Sequence, residues 1–123
     1  MNFSLADSAD GFNIQAFEPG EIRINERIFT RNLILTPEKL LEDWPAEDVA
    51  SLQDTHFEAI LELAPDILLL GTGERQIFPS AACYANLMSR RIGIEIMDTA
   101  AACRTYNILA AEDRRVAAAL LLR

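Results

Sequence analysis

Lysine is almost absent from this chain: Lys39 stands alone among 11 basic residues, against 19 acidic ones, and the net charge is −8. Phosphate backbones are held by basic faces, so the sign of this field argues against nucleic acid as a partner. Only two cysteines occur, Cys83 and Cys103, far apart and outside any CxxC pattern, with His56 the single histidine. That supply builds no standard zinc site, and two thiols in a reducing compartment are expected to be buried small apolar residues; no metal, cofactor or disulfide is anticipated. No apolar run approaches the roughly 20 residues needed to cross a bilayer. The opening MNFSLADSADGFN has no Lys, Arg or apolar h-region, so neither a signal nor a transit peptide is expected and a cytoplasmic location is the reading.

Half of the 123 residues are hydrophobic, and a chain of this length buries about two-thirds of the surface its unfolded form exposes. One domain held by packing alone is the expectation, over residues 11–123, with residues 1–10 as a flexible N-terminus. The acidic excess is uneven. Residues 1–61 carry 12 acids and 4 bases, whereas residues 62–123 carry 7 of each. Solubility explains such an excess without any acidic function.

From Phe12 to Leu35, alternating apolar residues broken by Pro19-Gly20 and Asn25-Glu26 predict a β-meander whose third strand ends in the buried run Leu33 to Leu35. Thr36-Pro37-Glu38 has the chemistry of a helix start, but Trp44-Pro45 stops it at once, so residues 36–53 read as an irregular connection. Trp44 itself either plugs the edge of the core or belongs to a partner-binding patch. Thr55 to Glu58 has a capping-box pattern, and Phe57, Ile60, Leu61 and Ala64 follow at helical spacing up to Pro65. Ile67 to Leu70 then predicts a strand buried on both faces. Ser80 caps a helix with an apolar stripe through Leu87 and Met88; Gly93 ends it, and Ile94 to Met97 reads as a strand. Asp98 or Thr99 caps the next helix, to Ala111. The final VAAALLL suits a helix or a buried strand; the polar break at 112–114 favours the strand. The order βββαβαβαβ implies a three-layer α/β domain: a central mixed β-sheet with helices on both faces and at least one right-handed βαβ crossover.

Two polar turns carry the candidate chemistry, GTGERQ after one strand and MDTAAACRTYN after the next. The first falls short of a dinucleotide fingerprint, because Gln76 occupies the third glycine position and Ile77-Phe78-Pro79 intervene before the helix; a Walker A loop would need Gly-Lys-Ser/Thr. A tight turn at the sheet's carboxyl edge is the plainer reading, yet that edge is where open α/β sheets bind ligands. If the two strands are parallel neighbours, Asp98 and Thr99 share an edge with Thr72 and Arg75, and Cys103 and Asn107 follow Thr99 on one helical face. A nucleophilic Cys103 would need a paired base, and His56 lies on a different helix. The plainer account has Ala100 to Cys103 small because the helix packs close to the sheet, and His56 in a surface or capping role. No catalytic residue is assigned.

In combination, DILLLGTGERQIFP, GIEIMDTAAACRTYN and RRVAAALL, in this order and spacing, are more specific than any of them alone. The stretch from Gly11 to Leu122 resembles the MTH938-like domain family, which includes the mitochondrial complex I assembly factor 3 and the adipogenesis-associated domain proteins. That resemblance implies a three-layer domain with a central mixed sheet and gives no catalytic residues. It implies a recurring motif set: Gly71, Thr72, Gly73, Arg75 and Gln76, then Met97, Asp98, Thr99, Ala102, Cys103, Arg104, Thr105, Tyr106 and Asn107. These, apart from Met97 and Ala102, are the candidate binding residues. Two functions remain open: a non-enzymatic protein-binding module, such as an assembly factor for a membrane-associated complex, or a small-ligand site or unrecognised enzyme at the GTG and MDT edge. A cleft lined by Thr72, Arg75, Asp98 and Arg104 would favour the ligand; an exposed apolar patch would favour the partner.

Overall fold

The buried runs predicted from the sequence meet in one mixed sheet in the computed structural model, which describes residues 3–6 and 11–123. Its six strands lie in the order β1 (Ser4–Leu5), β6 (Lys39–Leu41), β5 (Leu33–Leu35), β9 (Val116–Leu121), β7 (Ile67–Thr72) and β8 (Gly93–Met97). β7 pairs in parallel with both β8 and β9, while the β9, β5, β6 and β1 neighbours are antiparallel. VAAALL is the strand the polar break suggested, and it occupies a central place. Every residue of β9 is buried, because its alanines admit close cover on both faces.

On one face lies α3 (Thr99–Ala111), with Ala102, Cys103 and Tyr106 packed against Leu69, Ala118 and Leu120. On the other, Phe57, Ile60, Cys83 and Leu87 from two short helices, α1 (Glu58–Leu63) and α2 (Ala85–Ser89), and the 3-10 turns before them cover Leu68, Leu70, Ala117 and Ala119. The three-layer α/β architecture with helices on both faces is therefore as expected.

Additional strands refine the predicted order. The meander is a separate three-stranded sheet, β2 (Ile14–Glu18), β3 (Glu21–Ile24) and β4 (Arg27–Phe29), whose Ile14, Ile22, Ile24 and Phe29 close the α3 side of the core. Asn32 breaks it from β5. Its amide donates to the Ala46 carbonyl at 2.8 Å and its oxygen accepts from the Leu122 N–H at 2.8 Å, so the chain changes sheets at a pinned side chain. The connection 36–53 is not wholly irregular. The Thr36 hydroxyl accepts from the Lys39 N–H at 2.9 Å, closing a turn that sends β6 back along β5. Of the first ten residues, expected to be a flexible N-terminus, 1, 2 and 7–10 lie outside the described residues, and Ser4–Leu5 pairs with Leu40 and Lys39 as an edge strand. The capping box also sits earlier than expected: Gln53, not Thr55, is the cap, and His56 Nδ1 accepts from the Gln53 N–H at 3.0 Å. Trp44 is buried against Phe57 and donates from Nε1 to the His56 carbonyl at 2.7 Å. It is a core plug.

Candidate functional site

Because β7, β8 and β9 run parallel, their carboxyl ends emerge on one edge, and Gly71–Gly73, Asp98-Thr99 and Leu121–Arg123 converge there. Asp98, rather than Thr99, caps α3, its carboxylate accepting from the Ala101 N–H at 2.8 Å. That leaves the Thr99 hydroxyl for another task. It accepts from the Gly73 N–H at 2.8 Å and donates to the Leu121 carbonyl at 2.5 Å, while the Thr99 N–H donates to the Gly73 carbonyl at 2.8 Å. One fully buried side chain thereby ties three strand ends together. Gly71 allows this approach: a Cβ there would stand 2.9 Å from Thr99 Oγ1 and 3.0 Å from Leu120 Cδ2.

The other motif residues are engaged in the same way. Thr72 Oγ1 accepts from the Ile77 N–H at 3.1 Å, with the Arg75 carbonyl at 2.5 Å and the Met97 carbonyl at 3.2 Å as acceptors for its own proton. Gln76 Nε2 donates to the Ile96 carbonyl at 2.9 Å. Two residues farther along α3 hold the small sheet: the Tyr106 hydroxyl donates to the Phe12 carbonyl at 2.8 Å, and Asn107 grips Ile14 twice, accepting from its N–H at 3.0 Å and donating to its carbonyl at 2.7 Å. Thr105 is half-buried on the same helix. Every buried side-chain polar atom among the described residues has a partner.

Arg75 and Arg104 differ from these. Both are exposed, and among the described residues the ion pairs are Arg27 with Glu42 and Arg31 with Asp43, so neither arginine takes Asp98 or Glu112 as a partner. Beside Arg75 the loop exposes Ile77 and Phe78, the latter 67% accessible. The sequence reading passed over this apolar pair; the signal was two large apolar residues in a loop, held ahead of Pro79 and outside any periodic pattern. A cleft of about 250 Å³ between β2 and α3 is lined by Ala16, Phe17, Cys103, Arg104 and Asn107 among others. Larger clefts, of about 370, 380 and 450 Å³, are lined by none of the motif residues; the last of them opens on β8 at Gly93, Ile94 and Ile96.

Cys103 sits on the buried side of α3, and burial pushes its thiol up to about 12 against a weaker opposing pull from Arg104. Both cysteines are free and buried. A thiol so placed is protonated at neutral pH and is a poor nucleophile. Cys103 in the folded protein is therefore expected to react with thiol reagents more slowly than free cysteine near neutral pH, as rates of labelling followed by mass spectrometry will show. The same burial fixes a sign. Below about pH 9 the thiol is protonated whether the chain is folded or not; between there and about 12 only the unfolded chain releases its proton, so stability falls as pH rises through that window. Cys103→Ala should flatten the first part of this alkaline decline in urea titrations. The Tyr106 hydroxyl, also raised by burial, keeps its share at higher pH.

Residues 14–121 match the family described as "Protein of unknown function (DUF498/DUF598)". Among individual relatives, the "13 kDa major membrane protein" of Francisella tularensis subsp. holarctica is 30% identical over 83% of this chain and 84% of its own length. The "NADH dehydrogenase [ubiquinone] 1 alpha subcomplex assembly factor 3" of Danio rerio is 31% identical over 94% of this chain and 67% of its own length. Among solved structures, a Bordetella parapertussis protein superposes with a TM-score of 0.87 at 36% identity, covering 94% of this chain and 100% of that one. A Bordetella pertussis protein described as a Mth938-like domain gives 0.81 at 29% identity, covering 99% and 92%.

Proposed function

We propose, from the premise that this chain belongs to the DUF498/DUF598 family of proteins of unknown function, that it is a non-enzymatic protein-binding module assisting assembly of a membrane-associated respiratory complex. One observation carries the reading: at the carboxyl edge of the sheet the polar motif side chains are spent on bonds within the chain, while Arg75, Ile77 and Phe78 face outward from the loop after β7 and Arg104 from α3. Exposed apolar side chains next to a guanidinium group, as Ile77 and Phe78 are to Arg75 in one loop, suit recognition of an acidic, partly apolar protein surface. The assembly-factor relatives lend it direction. Among the described residues no helix is long and apolar enough to cross a membrane. The ligand alternative expects a cleft lined by Thr72, Arg75, Asp98 and Arg104; the clefts of about 380 and 450 Å³ are built from other residues, and the one of about 250 Å³ includes Arg104 without the other three.

The test is capture of partners from the native cell extract by the tagged protein. Arg75→Ala with Arg104→Ala should abolish capture while the unfolding free energy stays within about 0.5 kcal/mol, as for exposed substitutions away from structural features. Undiminished capture by that variant would remove the arginines from the surface.

A further inference from the structure

We propose that a second copy of this chain docks on β8, the two edge strands antiparallel and centred on Ile94. β8 is the last strand of the sheet. The Gly93 N–H donates to the Asp66 carbonyl at 2.9 Å, so the alternation of a parallel ladder turns the peptide groups of Gly93, Glu95 and Met97 toward β7 and those of Ile94 and Ile96 outward. Gln76 Nε2 covers the Ile96 carbonyl. The Ile94 N–H and carbonyl are the pair left open at the middle of the strand. Their side chains continue the opportunity: Ile94 and Ile96 line an open cleft of about 450 Å³ with Tyr84, Met88 and Ile92, and Met88 is 61% exposed.

Charge selects a second copy as the occupant. The edge begins with Arg90 and Arg91 and ends with Glu95 and Asp98, and no ion pair among the described residues engages any of them. An antiparallel copy sets each basic end against an acidic one. Charge and capping also select the register. Centring on Glu95 would oppose two carboxylates, which destabilises a strand pair, and centring on Ile96 would displace Gln76. Centring on Ile94 lets the two Ile94 residues exchange both N–H···O bonds, places Ile92 opposite Ile96, makes Arg91 of one copy a diagonal neighbour of Glu95 of the other, and moves the two Glu95 carboxylates from directly opposite to the remaining diagonal, where each also has Arg91 within reach. This surface goes beyond the partner reading above and does not depend on it.

Sedimentation velocity over a concentration series at physiological salt tests it. The wild type should show a concentration-dependent dimer. Arg91→Glu and Glu95→Arg each turn the two Arg91–Glu95 pairs across the interface into like-charged ones and should weaken self-association about tenfold. Mixed together, the two variants should associate with each other at least as strongly as the wild type does with itself, because both diagonals between positions 91 and 95 are again of opposite sign and the diagonal between the two residues 95, Glu against Glu in the wild type, becomes Glu against Arg. A wild type that stays monomeric, a dimer indifferent to both reversals, or a mixture that fails to associate would each overturn the proposal.

Discussion

Thr99→Val is expected to lower the unfolding free energy by about 2–6 kcal/mol, although it changes the volume of the side chain hardly at all. The methyl group is retained, so no cavity opens. What is lost is the hydroxyl that serves the Gly73 N–H and the Leu121 carbonyl in a fully buried place. Each group stranded away from water costs about 1–3 kcal/mol, and there are two of them. Thr99→Ser keeps the hydroxyl and should cost less than half as much. Urea unfolding of the three proteins separates the possibilities, and a valine variant within about 0.5 kcal/mol of the wild type would show that the strand ends do not rely on this residue.

Gly73→Ala should cost a comparable amount, about 2–5 kcal/mol, for a different physical reason. Gly73 has φ +91°, a region an L side chain adopts only under strain, and a Cβ there would stand 2.5 Å from the Arg123 carbonyl oxygen and 2.7 Å from its carbon. Backbone has to give way. Because Gly73 and Thr99 bond each other in both directions, the two variants share one joint, and the double variant should fall short of the sum of the singles in the same urea experiments. Strict additivity would mean that the loop and the helix start respond separately.

Much of this joint was legible in the sequence, though its purpose was not. Asp98 follows a strand and precedes a run of small residues, which marks a helix start, and Gly71-Thr72-Gly73 marks a turn. Nothing in the chain order says that β9 will lie beside β7, so no reading of residues 71–107 alone discloses that Thr99 reaches the Leu121 carbonyl. The same limit applies to Tyr106 and Asn107, whose acceptors at Phe12 and Ile14 come from the other end of the chain. β7, β8, α3 and β9 were readable because apolar runs and small-residue faces report burial directly. β6 was missed for a local reason. Thr36 offers its hydroxyl to following N–H groups both in a helix cap and in the turn actually formed, and three residues, Lys39 to Leu41, are too few to show a period. The meander was visible as alternation, but its removal to a second sheet depends on Asn32, a polar residue whose partners, at Ala46 and Leu122, are remote in sequence.

A motif that holds the fold and a surface that meets partners predict opposite responses to mutation, and the proposed function assigns these roles to different residues of the same two motifs. Thr99, Gly73 and Asn107 are joints; Arg75 and Arg104, with Ile77 and Phe78, are the outward face. The most direct test measures partner capture per folded molecule and unfolding free energy in parallel, for Thr99→Val and for the Arg75→Ala/Arg104→Ala pair. Thr99→Val should lose stability and keep its capture, while the arginine pair should lose capture and keep its stability within about 0.5 kcal/mol. The reverse pattern, with the arginine pair costing more than about 2 kcal/mol and still capturing its partner while Thr99→Val stays stable and captures nothing, would assign the motif to binding and the arginines to architecture.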